Sequence, residues 1–158
     1  MHEHVTDPFV KQAQKDGYRS RAAYKLLEID KRDRLLRPDM TVVDLGAAPG
    51  SWCQVVAQKQ KGRGQILAID LLPVALMPGM ECLQGDFASE EGMAWLEEKL
   101  QGRQVDLVLS DMAPNISGVM WRDQAQHYAL CELALAFCER WLKPEGAFLV
   151  KVFNGVGF

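Results

Sequence analysis

The sequence predicts an α/β domain, doubly wound around a mostly parallel β-sheet. From residue 41 onward, short and nearly continuous apolar runs alternate with stretches of helical character. Such runs are typical of parallel strands whose two faces are both covered by helices. The length of 158 residues predicts a single domain over 1–158, and the hydrophobic content of 48% is ordinary for a globular protein with a buried core.

Two helices are predicted before the sheet begins. The first spans 6–17 and ends at Gly17, a residue that commonly stops helices. The second spans 20–36, where apolar residues recur at helical spacing. The residues RPDM that follow break the helical pattern. We therefore expect a helical segment in front of the α/β core.

The strands of the core end in acidic residues. In chain order we expect strand 41–45, helix 50–61, strands 64–70 and 80–86, helix 90–100, strand 105–111, helix 123–142 and strand 146–153. Asp44, Asp70, Asp86 and Asp111 lie at, or one residue before, the ends of four strands. Carboxyl ends of parallel strands meet at one edge of a sheet, so these carboxylates would line one crevice, which is costly without a ligand. The set predicts a binding site, although one such aspartate alone is usually a turn or helix cap.

Positive charge is concentrated near the N-terminus, although the whole chain carries −3. Residues 11–37 contain nine lysines and arginines against four acids, a local charge of +5. This favours an anionic partner at one end of the molecule, and a solvated helix surface is the alternative that charge alone leaves open. We divide the domain into a basic helical segment, 1–37, and a cofactor-binding core, 38–158. The candidate contacts to the anion are Lys11, Lys15, Arg19, Arg21, Arg32 and Arg34.

Cysteine spacing and hydropathy exclude several classes of protein. Cys53, Cys82, Cys131 and Cys138 form no CxxC pair and no ligand cluster, so we expect reduced thiols and no metal site. No apolar run approaches the roughly 18 residues that a membrane span needs. The N-terminus also lacks the basic-then-apolar order of a signal peptide. We expect a cytoplasmic protein that acts as a monomer.

The loop in TVVDLGAAPGSW, residues 41–52, predicts a cofactor without phosphate. Ala48 stands where the dinucleotide motif GxGxxG has its second glycine, and no Gly-Lys-Ser/Thr follows as in a P-loop. Pro49 removes a backbone N–H that a phosphate would need, and Asp44 would repel a pyrophosphate. S-adenosylmethionine fits better, because it has no phosphate and carries an ammonium and a sulfonium.

Each residue of this set is expected to contact one part of that cofactor. Gly46 and Gly50 allow the backbone to approach the methionine portion. Asp70 is placed to accept hydrogen bonds from the ribose hydroxyls, and Asp86 to accept one from the adenine amino group. Trp52 would support the loop or form a pocket wall, with plain core packing as the alternative. Asp44 completes the predicted cofactor set.

Two lysines and an aspartate are candidates for the chemistry. Asp111 ends the fourth strand, within SDMAPNISG, and Lys151 lies in an apolar setting on the fifth strand, within FLVKVF. A lysine in a central strand is costly unless it faces a cleft or an acid. Lys25 lies on the basic helix, where a snorkelling surface lysine is the alternative.

The motifs SRAAYKLLEI, VVDLGAAPGSW, AIDLLP, LQGDF, SDMAPNISG and VKVFNGVGF closely resemble those of the FtsJ-like ribosomal RNA large subunit methyltransferases. The likeness covers about residues 10–158. It implies a Rossmann-like fold and S-adenosylmethionine-dependent methylation of the ribose 2′-hydroxyl of a uridine in 23S ribosomal RNA, within the large ribosomal subunit. It also implies cofactor contacts at Gly50, Trp52, Asp70, Asp86 and Asp111, and catalytic roles for Lys25, Asp111 and Lys151.

The family pattern continues past Phe158 with an antiparallel hairpin that carries a catalytic glutamate. The resemblance therefore implies a chain truncated before that hairpin, with an open strand edge in its sheet. No residue of this chain takes the role of that glutamate.

The implied reaction is an in-line displacement in which a ribose oxygen attacks the sulfonium methyl group. We expect Lys151 to accept the hydroxyl proton, Asp111 to position Lys151, and Lys25 to orient the hydroxyl or hold a phosphate. The basic segment would bind ribosomal RNA through its phosphates. Three alternatives stay open: a methyltransferase for a small molecule or protein, a non-catalytic domain that binds cofactor or RNA, and, least favoured by the loop, an NAD-dependent dehydrogenase.

Overall fold

In the computed structural model, helices and strands alternate along the chain. The structure describes residues 15–111 and 120–151, and of 120–124 it describes the backbone only. In chain order the elements are α1 (Ala22–Asp33), β1 (Thr41–Leu45), α2 (Ser51–Gln60), β2 (Gln65–Asp70), β3 (Met80–Gln84), α3 (Glu90–Leu100), β4 (Val105–Ser110), α4 (Met120–Trp141) and β5 (Leu142–Val150). Most of the helix predicted at 6–17 lies outside the described residues.

The strands of the described residues form one five-stranded sheet in the order β3-β2-β1-β4-β5. Every pairing between neighbours is parallel, and Val43 of β1 lies opposite both Leu67 of β2 and Val108 of β4. The predicted doubly wound α/β class is confirmed, and the pairings are wholly rather than mostly parallel. The strand order reverses between β1 and β4, and ligands of such sheets bind beyond the carboxyl ends of the strands at that point.

Two apolar layers, one on each face of the sheet, hold the helices in place. One layer contains Leu26 of α1, Val55 of α2 and Ile66 of β2, and the other contains Leu96 of α3 and Phe137 of α4. All five side chains are fully or almost fully buried. Burial of each contributes roughly 1.5–3 kcal/mol to the stability of the fold. Because α1 belongs to one of these layers, the part of the basic N-terminal segment that forms this helix, Ala22–Asp33, is packed against the core.

β5 begins earlier than the sequence predicts. It starts at Leu142, directly after α4, instead of at 146. Lys143 Nζ lies 2.8 Å from Asp106 Oδ1 of β4, and the register of the β4–β5 pairing shifts beside this ion pair. This stretch joins the sheet through the pairing of Leu142 with Val105 and through the ion pair of Lys143, and a hydropathy pattern signals neither contact.

None of the described helices is both long and apolar enough to cross a membrane. The four cysteines are free thiols, and Cys53 and Cys138 are buried. Cys82 and Cys131 are only partly buried.

Candidate active site

Two cavities open at the carboxyl edge of the sheet, and Asp111 lines both. The first cavity, of about 340 Å³, is also lined by Gly46, Asp70 and Asp86. The second cavity, of about 640 Å³, lies between α1 and the end of β5. Three of the four aspartates that were expected to share a crevice therefore line the first cavity, and Asp111 also lines the second cavity.

The loop at 46–50 forms one wall of the first cavity, and the amides of its first three residues donate hydrogen bonds within the protein. The N–H groups of its first two residues both donate to the Ile69 carbonyl oxygen, over 2.8 and 3.2 Å. Ala48 N–H donates to Asp70 Oδ2 over 2.9 Å. The next residue is a proline and has no N–H to offer. The loop therefore differs from a phosphate cradle, whose amides point at the ligand.

Asp70 and Asp86 present carboxylates that keep acceptor capacity for a ligand. Asp70 Oδ1 accepts from Leu72 N–H over 2.8 Å, and Asp86 Oδ1 accepts from Ala88 N–H over 2.9 Å. A carboxylate oxygen has two lone pairs, so both groups can accept further hydrogen bonds from hydroxyl or amino groups. Asp86 lies in the loop after β3, which ends at Gln84, and not at the end of the strand as predicted.

Apolar residues of the first cavity are absent from the predicted site. Leu71 and Leu72 are 61% and 63% exposed, and they line the cavity together with the buried Phe87. Apolar side chains beside a few placed polar groups are typical of sites for ring-containing ligands. The sequence does contain a sign of this apolar lining: two leucines directly follow Asp70, at a position where a turn usually carries polar residues.

Asp44 lies behind the loop and lines a third cavity of only about 10 Å³. It is 1% exposed. Cys53 Sγ–H donates to Asp44 Oδ2 over 3.1 Å, and Asp44 Oδ1 has no hydrogen-bond partner among the described residues. Burial raises the pKa of Asp44 to about 7; the Cys53 hydrogen bond opposes that rise, and the charges of Asp111 and Asp70 add to it. A buried carboxylate with an open oxygen suits a positively charged or hydrogen-bond-donating group nearby.

Trp52 connects α1 to both the loop and the second cavity. Its Nε1–H donates to the Ala22 carbonyl oxygen over 2.9 Å, and the residue is buried. It lines the second cavity and the small cavity behind the loop. Trp52 therefore joins α2 to α1 and forms a wall of the second cavity, whereas its support of the loop and its contact with a cofactor stay predictions.

Lys25, Asp111 and Lys151 all line the second cavity. Lys151 Nζ lies 3.6 Å from Asp111 Oδ1. The pKa of Asp111 is raised above its usual value, mainly because the carboxyl is largely buried. The Lys151 ammonium opposes this rise, and the negative charge of Asp70 adds to it. β5 ends at Val150, so Lys151 lies just beyond the strand on which it was predicted, and its side chain is 68% exposed rather than in apolar surroundings. It faces a cleft and an acid, as expected of a lysine at this position.

The predicted RNA-binding residues lie in different surroundings. Lys15 and Arg21 are exposed, and Arg21 lines the second cavity beside Lys25. Arg32 and Arg34 are exposed at the carboxyl end of α1. Lys11 lies outside the described residues. The guanidinium of Arg19 donates hydrogen bonds to backbone carbonyl oxygens within the protein.

The charge pattern of the sequence predicts only part of a basic groove at the carboxyl end of α1. The groove is lined by Lys31, Arg34, Arg37 and Lys59, and Lys59 Nζ lies 3.3 Å from the buried Asp30 Oδ2. The charge count over the N-terminal segment includes the first three cations but not Lys59, which belongs to α2. Its place in the groove comes from the packing of α1 beside α2.

The described residues contain no group of three or more His, Cys, Asp or Glu side chains that could hold a metal ion. The chemistry of this edge is that of carboxylates beside lysines. Such groups bind cations and hydroxyl donors, orient an acceptor, and move a proton.

Comparison with known proteins gives relatives over nearly the whole chain. The FtsJ-like methyltransferase family model matches residues 18–158. The protein named ribosomal RNA large subunit methyltransferase E in Thiobacillus denitrificans is 73% identical over 100% of this chain and 72% of its own length. Its namesake in Azoarcus is 61% identical over 100% of this chain and 77% of its own length. A crystal structure from Plasmodium falciparum, named as a ribosomal RNA methyltransferase, matches with a TM-score of 0.78 and 32% identity, over 87% of this chain and 80% of that one.

Proposed function

The chain belongs to the FtsJ-like methyltransferase family, and from this premise we propose that it methylates ribosomal RNA of the large subunit with S-adenosylmethionine as donor. The acceptor is the ribose 2′-hydroxyl of a uridine in 23S ribosomal RNA, as the motifs of the sequence imply. The names of the relatives in Thiobacillus denitrificans and Azoarcus support this class of substrate. A ribosomal substrate in turn favours a cytoplasmic location.

The observation that carries the proposal is the position of Asp111 between the two cavities. One cavity holds the other acids, Asp70 and Asp86, and the other holds Lys25 and Lys151. A group-transfer enzyme needs donor and acceptor sites that meet at one point, because alignment of the reacting atoms supplies much of the rate acceleration. Asp111 marks such a meeting point.

The residues of the first cavity fit S-adenosylmethionine better than a phosphate-bearing cofactor. The amides of the first three loop residues already donate to Ile69 and Asp70, so these three are not available to a pyrophosphate. Asp70 would accept from the ribose hydroxyls and Asp86 from the adenine amino group, with Leu71 and Leu72 against the ring. The acidic lining suits a ligand that carries an ammonium and a sulfonium. When bound, S-adenosylmethionine supplies an electrophilic methyl group on a positively charged sulfur.

The lysines of the second cavity would prepare the acceptor hydroxyl. A ribose hydroxyl is a weak nucleophile, so a base must take its proton as the new bond forms. Lys151 Nζ, in its neutral form, would accept that proton and become an ammonium, while the methyl–sulfur bond breaks, its electron pair stays on the sulfur, and S-adenosylhomocysteine is the product that leaves. Asp111, 3.6 Å away, would orient Lys151 and stabilise the ammonium. Lys25, on the same cavity wall, would hold the hydroxyl or an adjacent phosphate.

Transfer of a labelled methyl group tests the proposed function. The protein is incubated with radiolabelled S-adenosylmethionine and either unmodified 23S ribosomal RNA or large ribosomal subunits that contain it. We expect label in the RNA, in a dinucleotide that resists alkaline hydrolysis, because a 2′-O-methyl group blocks cleavage of the adjoining phosphodiester. Label in a base or in protein would contradict the 2′-hydroxyl as acceptor.

Removal of two exposed arginines should weaken RNA binding in a salt-dependent way. Arg32→Gln with Arg34→Gln removes two cations from the end of α1, and the slope of log affinity against log salt should become shallower by about 0.7–0.9 for each phosphate that is no longer neutralised. Filter binding of 23S ribosomal RNA at several salt concentrations measures that slope. Lys61→Gln with Arg63→Gln is the matched control, since both residues are exposed after α2. An unchanged slope in the first variant, or an equal change in both, would count against these contacts.

A further inference from the structure

The residues just before α1 are hydrogen-bonded to the first turns of α2. Arg19 N–H donates to Gln54 Oε1 over 2.7 Å, and Gln54 Nε2 donates to the Gly17 carbonyl oxygen over 3.2 Å. The hydroxyls of Ser20 and Ser51 lie 2.7 Å apart. Residues 17–20 are therefore held beside the loop that precedes α2 by hydrogen bonds from both their backbone and their side chains.

The Arg19 side chain extends from this segment to two loops that border the first cavity. Its Nη1 donates to the Pro49 carbonyl oxygen over 3.2 Å and to the Ala75 carbonyl oxygen over 2.9 Å. Pro49 follows Ala48, which lines the first cavity, and Ala75 lies in the loop that begins with Leu71 and Leu72. One guanidinium thus connects the loop after β1 to the loop after β2.

The loop after β1 also makes room for this guanidinium at Gly50. Gly50 has a φ of +103°, and a Cβ built there would lie 2.5 Å from Arg19 Nη1 and 3.0 Å from Val74 Cγ1. A side chain at this position would be strained by its backbone conformation and would also displace the arginine. The glycine therefore serves the contact with Arg19 as well as the turn into α2.

We propose that Arg19 is a positioning residue for the cofactor cavity. It holds the loops after β1 and β2 at the separation that lets Asp70, Leu71 and Leu72 contact the adenosine portion of S-adenosylmethionine. This assignment replaces the role in RNA binding that the charge pattern predicts for Arg19, and it rests on the proposed function. It also means that the N-terminal segment acts on the cofactor site through hydrogen bonds and not only through its charge.

The test is calorimetric titration of S-adenosylhomocysteine into Arg19→Gln, Arg19→Lys and Arg63→Gln. Glutamine cannot reach both carbonyl oxygens, so we expect the Kd of Arg19→Gln to rise about tenfold. Lysine keeps the charge and can donate to one carbonyl oxygen, so it should restore part of the affinity. Arg63 is the matched control, because it is an exposed arginine that precedes β2 at the amino edge of the sheet, opposite the cavities, and its Nη2 donates to Asp39 Oδ2 over 2.9 Å.

Stoichiometry separates positioning from general damage. A variant that only unfolds more easily binds fewer equivalents of ligand with an unchanged Kd, and that result would overturn the proposal. So would a Kd of Arg19→Gln equal to that of Arg63→Gln, or a shallower salt slope of RNA binding with cofactor affinity intact. If the wild-type protein itself failed to bind S-adenosylhomocysteine, the proposed function would be wrong, and the role of Arg19 would be wrong with it.

Discussion

Replacing Lys151 with alanine is expected to slow methyl transfer by about two to four orders of magnitude, the range over which a positioned acid or base contributes to catalysis. The reason is that Lys151 is the group placed to take the proton from the acceptor hydroxyl. Cofactor affinity should stay unchanged, because Lys151 lines the second cavity and not the first. Single-turnover methylation of 23S ribosomal RNA and calorimetric binding of S-adenosylhomocysteine measure the two quantities.

Lys143→Ala provides the matched control for that experiment. Lys143 lies near the start of β5, also pairs with an aspartate of the neighbouring segment, and has its Nζ 2.8 Å from Asp106 Oδ1. Its removal should lower the melting temperature but leave the single-turnover rate of the folded protein intact. Near-normal turnover in Lys151→Ala would contradict its role as the base. A weaker cofactor affinity in Lys151→Ala would instead indicate that the substitution distorts both cavities at the carboxyl edge of the sheet.

The position of the acidic cluster is predictable because parallel topology leaves little choice. Val42, Val43 and Leu67 are completely buried, and their continuous apolar runs mark strands covered on both faces. Once such strands are parallel, their carboxyl ends share one edge. Asp70 and Asp111 can therefore be assigned to one site from the sequence alone, and the assignment needs no measured distance between the two residues.

The remaining features depend on contacts between residues distant in the sequence. Arg19 and Arg32 look alike in a charge count. In the structure, one guanidinium donates to the carbonyl oxygens of two loops, whereas the other pairs with its own neighbour Asp33 at 3.1 Å. The early start of β5 likewise lies beside an ion pair between Lys143 and Asp106, two residues far apart in the sequence. The spacing of residues along the chain identifies the charged side chains, but it does not predict which distant backbone groups they contact in the folded protein.

Replacing Asp111 with asparagine should have the second large effect, a fall of about a hundredfold in the single-turnover rate. Asparagine keeps the size of the side chain and removes the negative charge that orients Lys151 and stabilises its ammonium. Because Asp111 also lines the first cavity, cofactor affinity should fall as well, by about tenfold. The rate at saturating cofactor and the Kd of S-adenosylhomocysteine separate the two effects.

A double-mutant cycle decides whether Asp111 acts through Lys151. If the two residues work as a unit, Asp111→Asn combined with Lys151→Ala is no slower than Lys151→Ala alone, because the aspartate then has no partner to orient. Asp106→Asn with Lys143→Ala gives the same kind of cycle for an ion pair in the same two-strand region, and its coupling should appear in melting temperature and not in rate. If the two substitutions instead reduced the rate by independent factors that multiply, Asp111 would act on the methyl donor alone. Its position between the cavities would then serve cofactor binding and not the orientation of Lys151.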